Sequence, residues 1–160
     1  MMPGKTPKGV NRRPRPSNCT KMPLDYERVK THLLSIEDPE HRLFGCVMLV
    51  SGPRVGEICE MLRCDIDGGY IRIRKNKLRG RPKEKVVFRK YPIPIPDWLQ
   101  GVMDATLAAM KRNSDDYLFQ SRHHAYVGQQ LTKNGANFWV KEHIFNGVET
   151  PGQIPTAHTI

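Results

Sequence analysis

Eight consecutive residues, Leu43-Phe44-Gly45-Cys46-Val47-Met48-Leu49-Val50, carry no polar side chain. Wound as a helix, they present apolar surface in nearly every direction, so other elements have to surround them. The flanks agree with a helix. Asp38-Pro39 stands before it, and proline suits the first turn, where a missing N–H leaves no bond unmade. Ser51-Gly52-Pro53 stands after it and stops it. The expectation is a central buried helix over about Glu40 to Val50, with the rest of the chain packed around it. At 160 residues the length suits one domain. A chain of this size buries about 68–70% of the surface its unfolded form exposes.

The neighbouring segments supply the packing partners. Leu24, Val29, Leu33 and Ile36 fall near one helical face, so a helix is expected from Leu24 to Ile36. A third helix is expected over about Val55 to Arg63. Gly68-Gly69 marks a turn, and Tyr70-Ile71-Arg72-Ile73-Arg74 alternates with the period of a strand. Leu78 to Pro82 forms a loop, Val86-Val87-Phe88 begins the return, and Pro92 to Pro96 leaves it as an extended edge. Asp97 is expected to cap a helix over Trp98 to Lys111, with Trp98, Val102, Ala105 and Ala109 on its apolar stripe. Tyr117-Leu118-Phe119 is a short apolar anchor. A last helix is expected over about Gly135 to Phe145, and Gly147 to Pro155 reads as loop. The class is α+β, mostly helical with a small antiparallel β-hairpin or sheet.

Charge is distributed unevenly along this frame. Residues 1–22 are rich in Pro, Gly and basic groups, lack apolar periodicity and read as a disordered arm. Six basic side chains and no acid lie within 1–21, and ten basic side chains against the single acid Glu84 lie within 72–90. The remaining ten basic residues face fifteen acids, a balance of −5 in a chain of net charge +10. A basic excess confined to a tail and one hairpin suits a polyanion. A merely solvated basic loop is the bland alternative. No apolar run approaches the roughly 20 residues of a membrane span, and the first 20 residues lack the apolar stretch of a signal peptide. Cys19, Cys46, Cys59 and Cys64 form no Cys-x-x-Cys pair, which favours reduced thiols inside a cell. His123-His124 are sequence neighbours with no carboxylate or cysteine at ligand spacing, so no metal is expected.

Three residues stand where they can handle a phosphate. Arg54 lies at the mouth of a helix, just after the apolar segment, and its guanidinium cannot shed its charge. An anion such as phosphate matches its fork. Glu57, three residues on, shares its helical face and can brace it, although a plain salt bridge to Glu57 or Asp65 explains Arg54 about as well. Lys77 ends the strand face Ile71, Ile73, Lys75, Lys77, where a hairpin-tip lysine can protonate a leaving alkoxide. Lys75 competes for that role. His158 in Pro155-Thr156-Ala157-His158 can hydrogen-bond a phosphate oxygen and move a proton near neutral pH. Each has an ordinary reading alone, as a surface cation or a terminal histidine.

Taken in order, Ser51-Gly52-Pro53-Arg54-Val55-Gly56-Glu57-Ile58, the following Leu62 and Asp65-Ile66-Asp67, a hairpin lysine, Leu118-Phe119 and Thr156-Ala157-His158 resemble the catalytic domain of the tyrosine recombinase (phage integrase) family. The resemblance covers roughly Leu24 to Ile160, with 23–160 as a partial catalytic domain. It implies cofactor-free, metal-free strand breakage and rejoining of double-stranded DNA in site-specific recombination or integration, as in phages and mobile elements. A tyrosine attacks the scissile phosphate, forms a 3′-phosphotyrosyl link and frees a 5′-hydroxyl. By resemblance Arg54 holds non-bridging oxygens, Lys77 is the general acid, His158 contacts the phosphate, and Glu57 supports Arg54. Lys75, Arg79, Arg81, Lys83 and Lys85 would grip the DNA backbone. The resemblance also implies a synaptic tetramer for a full-length protein, and a cytoplasmic or nucleoid location.

The chain departs from the family pattern at its end. The second arginine is expected three positions after His158, and the nucleophilic tyrosine further on. Tyr26, Tyr70, Tyr91, Tyr117 and Tyr126 all precede His158, so none matches the nucleophile. The chain is therefore expected to bind DNA without cleaving it. Two other readings stay open: a non-enzymatic DNA-binding module derived from a recombinase, and a basic RNA-binding protein.

Overall fold

The structure is a computed structural model that describes residues 25–74, 88–89 and 91–146. Helix α1 spans Tyr26–Leu34, α2 Pro39–Ser51, α3 Val55–Cys59, α4 Asp97–Met110 and α5 Lys133–Phe138. A 3₁₀ turn covers Arg63–Asp65, and a π-helical turn, Trp139–Ile144, continues α5. Strands β1 (Ile66–Asp67), β2 (Tyr70–Ile71) and β3 (Ile93–Pro94) form a small antiparallel sheet in that order.

The central helix is α2, as its composition demands. It packs against α1, α3, α4 and the π turn. Leu43, Phe44, Gly45, Cys46, Val47 and Met48 are buried, while Leu49 and Val50 are half-buried. Its start is set by Asp38, whose carboxylate accepts from the backbone N–H of Glu40 and His41, both at 3.0 Å, with Pro39 in the first turn. Its end is set by Gly52 at φ 54°, ψ 38°, a left-handed conformation that glycine adopts without the Cβ penalty. The same logic fixes α1, where Asp25 caps the first turn and Val29 and Leu33 face the core.

Gly68 and Gly69 join β1 to β2 with φ of 57° and 81°. Two successive positive φ angles suit the twist of a two-residue hairpin, and the register Asp67↔Tyr70, Ile66↔Ile71 follows from them. The expected strand over Tyr70 to Arg74 is shorter in its regular part, which pairs with Ile93–Pro94. Prolines at 92, 94 and 96 lack the N–H that would extend the ladder. Pairing resumes as a single bridge, Arg74↔Phe88, supported by Arg89 N–H donating to Ile73 O at 2.8 Å.

Several expectations need correction. Helix α4 buries Leu99, Met103, Thr106 and Leu107, with Trp98 and Val102 half-buried, while Ala105 and Ala109 are exposed. Leu99, Met103 and Leu107 repeat every four residues, and the larger apolar side chains win the inward face. Pro96, not Asp97, is its cap residue, its carbonyl accepting from Leu99 and Gln100. Asp97 sits in the first turn, where a negative charge complements the helix dipole. Helix α3 ends at Cys59, since the chain turns there to feed Leu62 into a bridge with Tyr117. The arm 1–22, Leu24, the loop Leu78 to Pro82, Val86-Val87 and Gly147 to Pro155 lie outside the described residues.

Candidate functional site

The left-handed turn at Gly52 and the buried Pro53 deliver Arg54 to the start of α3. Arg54 is its N-cap residue, in extended backbone (φ −72°, ψ 149°), and its side chain is exposed. Glu57 is only 9% exposed. One of its carboxylate oxygens, Oε2, accepts the Arg54 backbone N–H at 2.9 Å and Arg89 Nη2 at 2.7 Å. Glu57 thus supports the backbone of Arg54 and spends its charge on Arg89.

Asp65 is occupied as well. It is 2% exposed and takes Arg74 as a fork, Nε to Oδ2 at 2.7 Å and Nη2 to Oδ1 at 2.9 Å. Its Oδ2 also accepts the Leu62 N–H at 2.9 Å. The hydrogen bonds to Asp65 raise the Arg74 pKa above its ordinary value, against the opposing effect of burial. The guanidinium lies 5.1 Å from the Phe88 ring centroid. The plain salt bridge to Glu57 or Asp65 is therefore not what holds Arg54. Among the described residues no carboxylate lies within ion-pair distance of its guanidinium.

These two ion pairs change the reading of the basic hairpin. Arg74 and Arg89 belong to its cationic excess in the sequence, yet both neutralise internal acids. They fasten residues 74 and 88–89 to the segment that carries Arg54. Of the site residues expected from the sequence, the structure brings together Arg54 and Glu57. Lys77, His158, Lys75, Arg79, Arg81, Lys83 and Lys85 lie outside the described residues. Sequence reasoning misses Asp65, Arg74 and Arg89 as a bracing set. The signal for Asp65 is its place between core residues Met61 and Ile66, where a carboxylate requires a partner.

A second charged cluster sits at the start of α2. Arg122 donates to both oxygens of Asp38 at 2.7 Å and to Glu40 at 3.2 Å, and Glu40 also receives Arg112 at 3.3 Å. Burial raises the Asp38 pKa, but the Arg122 bonds, the His41 backbone N–H and nearby positive charge outweigh it and hold the carboxyl well below the usual range. Cys46 and Cys59 are buried, which pushes their thiols up to about 11 and leaves them poor nucleophiles. Among the described residues no group of three or more His, Cys, Asp or Glu side chains is placed to hold a metal, and no helix is long and apolar enough to cross a membrane.

No family model and no curated protein sequence matches this chain. Among solved structures, the crystal structure of XerA recombinase matches it with a TM-score of 0.60 at 16% sequence identity, over 86% of this chain and 47% of that one. The fold is recombinase-like. At that identity the likeness concerns the fold, the α+β arrangement of helices and small antiparallel sheet expected from the sequence. The chain spans about half the length of the XerA structure.

Proposed function

We propose that this chain is a DNA-binding part of a tyrosine recombinase catalytic domain, acting in site-specific recombination or integration, and that Arg54 holds the scissile phosphate. One observation carries the reading. The Arg54 guanidinium is exposed at a helix mouth while the two acids that could have neutralised it are committed to Arg89 and Arg74. A cation held by its backbone and left open to solvent is suited to an anionic ligand. Lys77 and His158 join the site by their place in the motif order: His158 bonds a phosphate oxygen, and Lys77 would protonate the 5′ oxygen only where a tyrosine nucleophile forms its bond to phosphorus as the P–O5′ bond breaks. Lys75, Arg79, Arg81, Lys83 and Lys85 grip the flanking backbone. None of Tyr26, Tyr70, Tyr91, Tyr117 and Tyr126 matches the family's nucleophile in the motif order, so in this reading these 160 residues bind DNA without forming the phosphotyrosyl link.

The test is a binding series on duplex DNA with a nicked suicide duplex beside it. Arg54→Ala should weaken binding more than Lys83→Ala, because it removes a fork rather than one of many point charges. Equal losses would favour a binding module with no special phosphate pocket. A covalent protein–DNA adduct formed by this polypeptide would overturn the non-cleaving part of the reading. Preference for RNA over duplex DNA at matched salt would replace it altogether.

A further inference from the structure

Residues 119–131 form a narrow arm rooted in the core and open at its tip. Phe119 is 0% and Leu131 3% exposed, and the Leu131 N–H donates to Phe119 O at 3.1 Å. Gln120 bridges Gln130, and Ser121 N–H donates to Gln129 O at 2.8 Å. The tip turns through Tyr126 N–H to His123 O at 2.8 Å and Gln129 N–H to Tyr126 O at 3.0 Å, with Gly128 at φ 83°. Three rings gather there. His123 stacks on His124 with centroids 4.3 Å apart, and Tyr126 lies 5.5 Å from His123, tilted by 35°. Both histidines are exposed, as are Tyr126 (55%) and Val127 (70%).

A tier of rings held out in water needs a reason, because the exposed apolar surface gains nothing there. Charge selects the occupant. From Tyr117 to Lys141 the sequence has no Asp or Glu, and it carries Arg122, Lys133 and Lys141. The arm nevertheless makes a poor phosphate clamp, since its own cation, Arg122, is forked onto Asp38 and reaches Glu40. What it offers is π-faces and amide groups on a segment with no acid of its own, its one cation already neutralised by Asp38 and Glu40. Unpaired nucleobases match that chemistry, because every base has a face to stack and its strand brings negative charge. The arm also adjoins the candidate site. Gln130, Leu131, Thr132 and Lys133 line a cleft with Gly56, Cys59 and Glu60 of the α3 segment, whose first turn follows Arg54.

We propose that the arm tip, His123, His124 and Tyr126, is a stacking platform for unpaired bases of a DNA strand. The inference rests on the nucleic-acid reading above and goes beyond it, since Arg54 and the basic hairpin address phosphates alone. The experiment compares fluorescence anisotropy of the full chain on three probes of one sequence: an intact duplex, the duplex with a four-thymine bulge, and the single strand. The wild type should bind the bulged probe roughly tenfold more tightly than the intact duplex, within the range that base stacking supplies. His123→Ala with Tyr126→Ala should erase the preference while leaving duplex affinity and its salt slope unchanged. Tyr126→Phe, which keeps the ring, should retain it. Circular dichroism and thermal melting of each variant establish that the exposed tip changes leave the fold intact. Firm duplex binding with no preference for the bulge overturns the platform and leaves the phosphate reading standing. No binding to any probe overturns both. Equal losses on all probes in the double variant overturn the platform, and so does a wild-type dimer that the double variant abolishes in sedimentation.

Discussion

At the scale of single residues, His41 is the group most constrained by its surroundings. It is 8% exposed, its ring lies 4.8 Å from that of His143, and Trp139 meets it edge-on at 4.5 Å. Its Nε2 has no hydrogen-bond partner among the described residues, and Nδ1 lies 3.9 Å from Asp38. Burial lowers its pKa to about 4, against the pull of Asp38 and with Arg122 and His143 adding to the drop. The unfolded chain then takes up a proton near pH 6.5 that the folded chain refuses. The stability contributed by His41 should fall between about pH 6.5 and 4, by on the order of 3 kcal/mol, and be fully lost below. Urea melts across that range will show it, and His41→Phe should flatten the slope there. Asp38, whose carboxyl is held low, contributes in the same direction but only below its ordinary value near 3.8. Neither effect was legible in the sequence. His41 reads there as a polar residue on a helix, and its partners Arg122, Trp139 and His143 come from the far end of the described chain. The place of Pro39 in the first turn was legible, because it depends only on neighbouring residues, whereas the cap role of Asp38 came from the structure.

At the scale of elements, close helix packing and two ion pairs do most of the positioning. Gly45 on α2 faces α1 and the π turn. A Cβ there would collide with Leu33 Cδ2 and press on Ile144 Cγ2 at 3.1 Å. Gly45→Ala gains up to about 1 kcal/mol of helix propensity, but overpacking costs about 1–3 kcal/mol, so a net loss of stability is expected by chemical denaturation. Asp65→Ala leaves the Arg74 guanidinium without its fork. It should destabilise by about 3 kcal/mol, whereas Glu27→Ala, which breaks the exposed pair with Lys30, should cost less than about 1 kcal/mol. The same pair of variants, measured by urea unfolding, separates a structural carboxylate from a solvated one. Helix α2 was readable because its caps and its apolar run are contiguous. The face of α4 was not, since apolar residues occupy more than one stripe of that helix and the choice depends on what α2 offers across the interface.

For the whole molecule, the charge map is sharper than the sequence alone allowed. Net charge is +10, but Arg74, Arg89, Arg112 and Arg122 each neutralise a partly or fully buried acid. By sequence, six further cations fall within residues 75–85 and six within residues 1–21, both outside the described residues. On the proposed DNA-binding reading, affinity should fall linearly on a log–log salt plot, and Lys83→Ala with Lys85→Ala should reduce the slope by roughly one for each phosphate left without its lysine. Arg74→Ala and Arg89→Ala should instead lower the melting temperature, and a large change in slope from either would contradict their internal role. By itself the sequence determined the α+β class, the buried α2, the glycine turns at 52 and 68–69 and the place of Arg54 at a helix mouth. Each of these rests on residues within a few positions of one another, where propensity, capping and periodicity act. Only the tertiary structure decided that Glu57 holds Arg89, that Asp65 holds Arg74, and that the Arg54 guanidinium is left without a carboxylate partner among the described residues. Those pairings depend on which charges meet between residues 9 and 32 positions apart, and Coulomb attraction between side chains has no signature in local spacing.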